Sequence, residues 1–138
     1  MKNMILILSM FFLFSGCDQE KQTEPQENSI YGTWQLTEIY ALSGTTGKWE
    51  QVRDGYTFSI EPSNTFSSEK FQECTQGTVE INETRIIFKY ECDGFTAGIE
   101  SPVGEFSYTY SFVENKLSLH PDFLSCIEGC GYRFSKRD

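Results

Sequence analysis

The sequence is short of the residues on which most site chemistry depends. It has one histidine, His120, among 138 residues. A histidine-based catalytic constellation or a multi-histidine metal centre therefore has little to draw on. His120 stands beside Pro121 at the end of a strand-like run and reads as a surface loop residue. Positive charge is scarce too: 11 Lys and Arg face 20 Asp and Glu, a formal charge of −9. That balance argues against nucleic acid and against electrostatic docking on anionic lipid. Helical periodicity is missing after the first residues, and so are low-complexity runs and internal repeats beyond hairpins. The carboxylates Glu61, Glu69 and Glu73 show no pairing that would support glycosidase chemistry. No catalytic residue, cofactor or metal is expected, and the chain reads as a non-enzyme.

What is present begins with an address. Met1-Lys2 is a short basic start, and residues 5–14 form an apolar run broken only by Ser9. The run is too short for a mature span, which needs about 20 apolar residues, and it fits the apolar core of a secretory signal. Leu13-Phe14-Ser15-Gly16-Cys17 follows, and it resembles the lipobox of bacterial lipoproteins, with Phe14 where that family usually has Leu. The resemblance implies cleavage before Cys17 and diacylation of its thiol. Residues 1–16 are then a lipoprotein signal peptide. The mature chain would hold 10 basic and 20 acidic residues, a formal charge of −10 once Lys2 is lost. Residues 17–28 are polar and acidic, with nothing to bury, and read as a flexible tether.

Four further cysteines remain: Cys74, Cys92, Cys126 and Cys130. An even count in an exported chain suggests two disulfides, and four cysteines allow three pairings. Folding a hairpin about Asn82-Glu83 brings Cys74 to within one residue of Cys92, with a bulge near Gly77 needed to mend the parity. That favours Cys74–Cys92, and by remainder Cys126–Cys130. The latter reads as a clasp on the last loop; a redox pair would lack the C-x-x-C at a helix start that lowers a thiol pKa. A Cys₄ zinc site is the alternative, although the spacings contain no C-x₂-C knuckle.

Residues 29–138 alternate apolar and polar residues in short runs separated by turn signals, the pattern of half-buried strands. In the first run Trp34, Leu36, Tyr40 and Leu42 share a face, with Glu38 interrupting it. Later runs put Tyr56 with Phe58, Phe88 with Tyr90, and Phe106, Tyr108, Tyr110 and Phe112 on single faces. Tyr132 and Phe134 close the series. Residues 49–53 read either as a short strand or as part of a loop. Residues 93–104 form the longest irregular stretch, expected as a loop at one rim. Eight or nine such strands fit a barrel filled by side chains or holding one small ligand. Glu38 and Lys70 fall at or near inward positions, and the open rim suits them better than a pocket.

Ile30-Tyr31-Gly32-Thr33-Trp34-Gln35-Leu36 resembles the Gly-x-Trp opening of lipocalins. With Tyr56-Thr57-Phe58, Phe71 to Gly77 around Cys74, Cys92, and Cys130-Gly131-Tyr132-Arg133-Phe134, the domain is similar to the lipocalin-like domains of bacterial envelope lipoproteins. The resemblance implies an all-β, eight-stranded up-and-down antiparallel barrel. It also implies a plug in which Trp34 closes the base beside Gly32 and Arg133 packs across it. No match to the Thr-Asp-Tyr motif of ordinary lipocalins is present, and too few residues follow Phe134 for their C-terminal helix.

These readings together lead to a lipid-anchored protein of the bacterial cell envelope, at the outer membrane on its periplasmic face or the cell surface. Its domain is expected to be a non-catalytic binder of a small apolar or amphipathic ligand. Tyr56, Phe58, Phe88, Tyr90, Phe106, Tyr108 and Tyr110 are the candidate lining, because tyrosine hydroxyls need partners that a dry core does not supply. The alternative is a protein-interaction module, an envelope inhibitor or assembly accessory, acting through loop 93–104 and the Cys126–Cys130 loop.

Overall fold

The computed structural model describes residues 29–43, 46–123 and 130–138. Residues 1–16, expected as a signal, residues 17–28 with Cys17, expected as a tether, and Cys126 lie outside the described residues. Nine antiparallel strands follow in chain order: β1 (Gly32–Ser43), β2 (Thr46–Gln51), β3 (Thr57–Ile60), β4 (Thr65–Ser68), β5 (Gln76–Ile81), β6 (Arg85–Tyr90), β7 (Glu105–Val113), β8 (Lys116–Pro121) and β9 (Tyr132–Arg137). Among the described residues there is no helix. β1 pairs with β3, each strand from β3 to β8 pairs with its successor, and β9 returns to pair with β1. The result is a closed eight-stranded up-and-down antiparallel barrel with one extra strand, β2, consistent with a lipocalin-like domain.

Local chemistry makes the turns. Glu114 and Asn115 both take positive φ, 51° and 62°, between β7 and β8. Two left-handed residues in succession give a turn whose twist matches that of the flanking strands. The Asn82 side-chain oxygen accepts from the amides of Thr84 at 3.1 Å and Arg85 at 2.8 Å, closing the β5–β6 hairpin. Gly77 faces the Lys89 backbone so closely that a Cβ would run into its carbonyl.

Inward residues form one aromatic-rich core. Phe58 meets Phe88 at 5.4 Å and Phe134 at 4.9 Å, and Phe66 meets Phe88 at 5.0 Å, all edge to face. Such pairs contribute roughly 0.5–1.5 kcal/mol beyond the area they bury. Ile60, Ile86, Leu117 and Leu119 fill the space between.

The base is stoppered by Trp34, which is 1% exposed and donates its indole N–H to the Ile30 carbonyl at 2.8 Å. Phe112 lies beside it at 6.1 Å. The cation over the indole is Lys136, at 5.4 Å, and not Arg133. Strand parity is the reason: Lys136 is directly opposite Trp34 in the β1–β9 ladder and shares the inward face with Phe134, whereas Arg133 points the other way. Gly32, at φ +118°, lets Lys136 pass; a Cβ there would stand 3.0 Å from its Cε.

Strand β1 does not keep one face inward along its length. Its register against β9 shifts between Leu36 and Glu38, a bulge at Thr37. One extra residue reverses which side chains face inward. Leu36 stands opposite Phe134 inside, but Glu38 stands opposite Arg133 outside, and Ile39 joins the core with Tyr132. Tyr40 therefore leaves the core face assigned to it by simple alternation.

Residues 46–51 form strand β2, which pairs with residues 38–43 of β1 and carries Trp49 over this outer surface. The Arg133 guanidinium lies 3.9 Å from the Trp49 ring centre, and Tyr40 meets the same ring at 5.4 Å. Beneath them Glu38 accepts from Gln51 at 2.6 Å, Lys116 at 3.0 Å and Arg133 at 3.4 Å. Burial alone would raise the Glu38 pKa. The hydrogen bonds from Lys116 and Gln51, the Lys116 charge and the Arg133 bond outweigh it and hold the carboxyl below its usual value.

Glu38→Gln is expected to cost about 3 kcal/mol at neutral pH by stranding two cations. Because the folded-state pKa is lowered, this stabilisation is complete above the unfolded carboxylate pKa of about 4.3 and is lost as pH falls through the folded value. Urea denaturation of both proteins across that range should show the difference shrinking on acidification.

Candidate functional site

Strand directions divide the barrel into two ends. The hairpin turns near residues 61–64, 82–84 and 114–115 lie at the plugged end, with Ser29 and the C-terminus. The longer segments 52–56, 69–75 and 91–104 lie at the other end, as do residues 122–123 and 130–131. The candidate site opens there.

Segment 69–75 aims one cation into the barrel. Glu69 turns outward and accepts from the Thr57 amide at 3.1 Å and hydroxyl at 2.8 Å, which lowers its pKa. The Lys70 amide donates to the Ser68 hydroxyl at 3.2 Å. A disulfide joins Cys74 to Cys92 with Cα atoms 5.7 Å apart, tying the segment to the chain just beyond β6. No bulge at Gly77 is needed: the β5–β6 register is continuous, and irregular backbone before Gln76 absorbs the offset. This bond consumes two of the four sulfurs that the zinc alternative required. Cys130 is also disulfide-bonded. Among the described residues no group of three His, Cys, Asp or Glu could hold a metal.

The Lys70 ammonium donates to the Tyr108 hydroxyl at 3.0 Å. It stands 5.1 Å from the ring centre of Phe71, 5.4 Å from Phe106, 5.7 Å from Tyr108 and 5.8 Å from Tyr132. Among the described residues no carboxylate pairs with it. Burial in this apolar cage disfavours the charged form and brings the Lys70 pKa down to about 8. Lys70 thus sits in the pocket rather than at the rim, while Glu38 belongs to the outer surface.

Around Lys70 lies a cavity of about 20 Å³, lined by Tyr56, Phe58, Ser68, Phe88, Tyr90, Phe106, Tyr108 and Leu119. Six of the candidate lining residues meet here. Tyr110 does not: it lies toward the plugged end, beside Phe112, with its hydroxyl on the Asn82 carbonyl at 2.9 Å. Burial pushes the Tyr90 phenol up to about 12 despite a hydrogen bond with Ser68. Burial likewise raises Tyr56, Tyr108 and Tyr132. The phenols of Tyr56, Tyr90 and Tyr132 stand near enough to add charge repulsion at Tyr108, so four hydroxyls converge, all neutral at physiological pH. An open polar groove of about 240 Å³ runs separately along β3 and β4, lined chiefly by Thr and Ser hydroxyls.

Side chains from the connecting segments cover the mouth. Phe71 packs on Tyr90 at 5.3 Å and Phe95 at 5.1 Å; Phe123 packs on Phe106 at 5.3 Å and Tyr108 at 5.4 Å. These three rings were not legible as site residues, since irregular segments offer no periodicity from which to read a face. Glu100 organises loop 93–104. Its buried carboxylate accepts from the amides of Ala97 at 3.0 Å, Ile99 at 3.0 Å and Gly104 at 3.1 Å. Burial raises its pKa, but bonds from Thr96 and the backbone prevail and bring it to about 2. The loop so fixed leaves Ile99 54% and Val103 70% exposed.

No family model matches the chain, and no curated protein matches it significantly in sequence. What defines its class is the architecture: a closed eight-stranded antiparallel barrel, consistent with a lipocalin-like domain, whose lumen is packed with aromatic rings around one lysine.

Replacing Lys70 with Met should remove an unpaired buried charge and raise stability by about 1–3 kcal/mol at neutral pH. The folded-state pKa of this lysine is lowered, so between about 8 and 10.4 the unfolded chain binds more protons and wild-type stability rises with pH. The gap between wild type and Lys70→Met, followed by chemical denaturation, should narrow across that window.

Proposed function

We propose that this chain is a lipid-anchored protein of the bacterial cell envelope whose barrel is a non-catalytic domain that docks a protein partner through its open-end rim. The observation that carries this reading is the lumen: about 20 Å³ admits a water-sized guest, whereas sites for drug-sized molecules run from roughly 300 Å³ upward. An acyl chain has no room unless the aromatic core is rebuilt. Binding by the rim asks for no such rebuilding.

The rim has the qualities of a docking surface. Ile99 and Val103 are large apolar side chains presented to solvent on one loop. Glu100 and the Cys74–Cys92 bond hold that loop's backbone in place, so little ordering entropy remains to be lost on association. Ser29 and Ile30 lie at the plugged end, where Lys136 donates to the Ser29 carbonyl at 3.3 Å. An anchor at Cys17 would attach there, and a tether of twelve residues spans at most about 40 Å. The membrane would then meet the plugged end, and the rim would face away from it.

A photoreactive residue at Ser101 of the full-length protein, activated in living envelopes, is expected to give one discrete protein adduct that Val103→Lys abolishes. Absence of any adduct, or one indifferent to Val103→Lys, would count against the rim. Saturable uptake of a fluorescent fatty acid by the purified protein would restore the carrier reading in its place.

A further inference from the structure

Lys70 presents an imbalance that rim docking leaves unexplained. An ammonium group has three N–H donors, and its hydrogen bond among the described residues goes to Tyr108. The four ring faces offset part of the lost hydration through cation–π attraction, yet among the described residues no negative charge is paired with the cation. The Tyr108 oxygen accepts from Lys70, which leaves its own O–H free to donate. The Tyr56 hydroxyl has no hydrogen-bond partner among the described residues. These donors border a space of about 20 Å³, room for one water-sized particle. A water molecule would satisfy the hydrogen bonds but not the charge. A compact anion satisfies both.

We propose that the lumen is a binding site for one halide-sized monovalent anion, held by the Lys70 ammonium with the hydroxyls of Tyr108 and Tyr56. Size excludes sulfate, phosphate and any carboxylate with a tail. The aromatic lining selects for weakly hydrated anions, because strongly hydrated ones lose more on entering a low-dielectric site. Among the described residues the titratable groups facing Lys70 are Tyr56, Tyr90, Tyr108 and Tyr132, all neutral, so occupancy follows the protonation of Lys70 itself. It should fall as pH rises beyond the lysine's titration.

The test is a chloride titration of the full mature protein at constant ionic strength, with sodium sulfate as the replaced salt. The readouts are the NMR resonances of the Tyr56 and Tyr108 rings and of the Lys70 side-chain nitrogen. The site predicts a saturable change with chloride, none with sulfate alone, and an upward move of the Lys70 titration midpoint when chloride is present. Lys70→Met should abolish the saturable change. Tyr108→Phe keeps the charge and removes one donor, so it should weaken chloride binding about five- to tenfold, the equivalent of one hydrogen bond. It also decides the matter should Lys70→Met fail to fold. A response that never saturates, that sulfate reproduces, or that either variant leaves unchanged would overturn the proposal.

Discussion

The ladder between β1 and β9 is the constraint on which the remaining structure rests. Without it the sheet would have two open edges and the aromatic face of every strand would be half solvated. That ladder is not uniform. At its lower half it runs in register and sets Trp34 against Lys136 and Leu36 against Phe134. At Thr37 it slips by one residue, and the upper half of β1 turns its other face inward. A single inserted residue therefore gives β1 two jobs: sealing the base below and founding a second, outward cluster above.

That outward cluster explains the extra strand. Glu38 is an expensive residue to bury, and β1 alone could not compensate it. The hairpin to β2 brings Gln51 opposite Glu38 and Trp49 opposite Tyr40, while β8 and β9 supply Lys116 and Arg133. Four strands thus meet at one carboxylate, and the Trp49 ring covers the guanidinium. The arrangement knits the barrel seam from outside, where the core cannot reach. Arg133 bears a cost of its own, since its Nε is buried with no partner among the described residues.

Inside, the same economy of charge is broken. Among the described residues the lumen contains a lysine with rings and hydroxyls but no carboxylate, and the tyrosines about it are too deeply buried to ionise at physiological pH. A barrel that needed only to be solid could place methionine or leucine at position 70. The hydroxyl-lined lumen is also too small to read as a lipid pocket. Function in the proposed arrangement is therefore divided: an ordered apolar rim faces a macromolecular partner, and a compact polar centre lies beneath it, tied to the same segments by the Cys74–Cys92 bond and by Phe71 and Phe95.

Period-two alternation was enough to determine the class of fold, because each strand buries one face and the inward residues must recur at every second position. Turn chemistry at Asn82 and Glu114-Asn115 and the near-opposition of Cys74 and Cys92 were equally local, whereas the plug role of Trp34 came from the resemblance of Gly32-Thr33-Trp34 to the lipocalin opening. Tertiary structure alone decided the rest. Whether Glu38 and Tyr40 face in or out depends on a bulge that only the β9 register reveals. Which cation covers Trp34 depends on cross-strand parity, which a family resemblance does not carry. Whether Lys70 meets solvent or the lumen depends on a segment without period, steered by Glu69, Ser68 and a disulfide. Size of the lumen is likewise a property of how rings from eight strands interlock, and no single strand's sequence carries it.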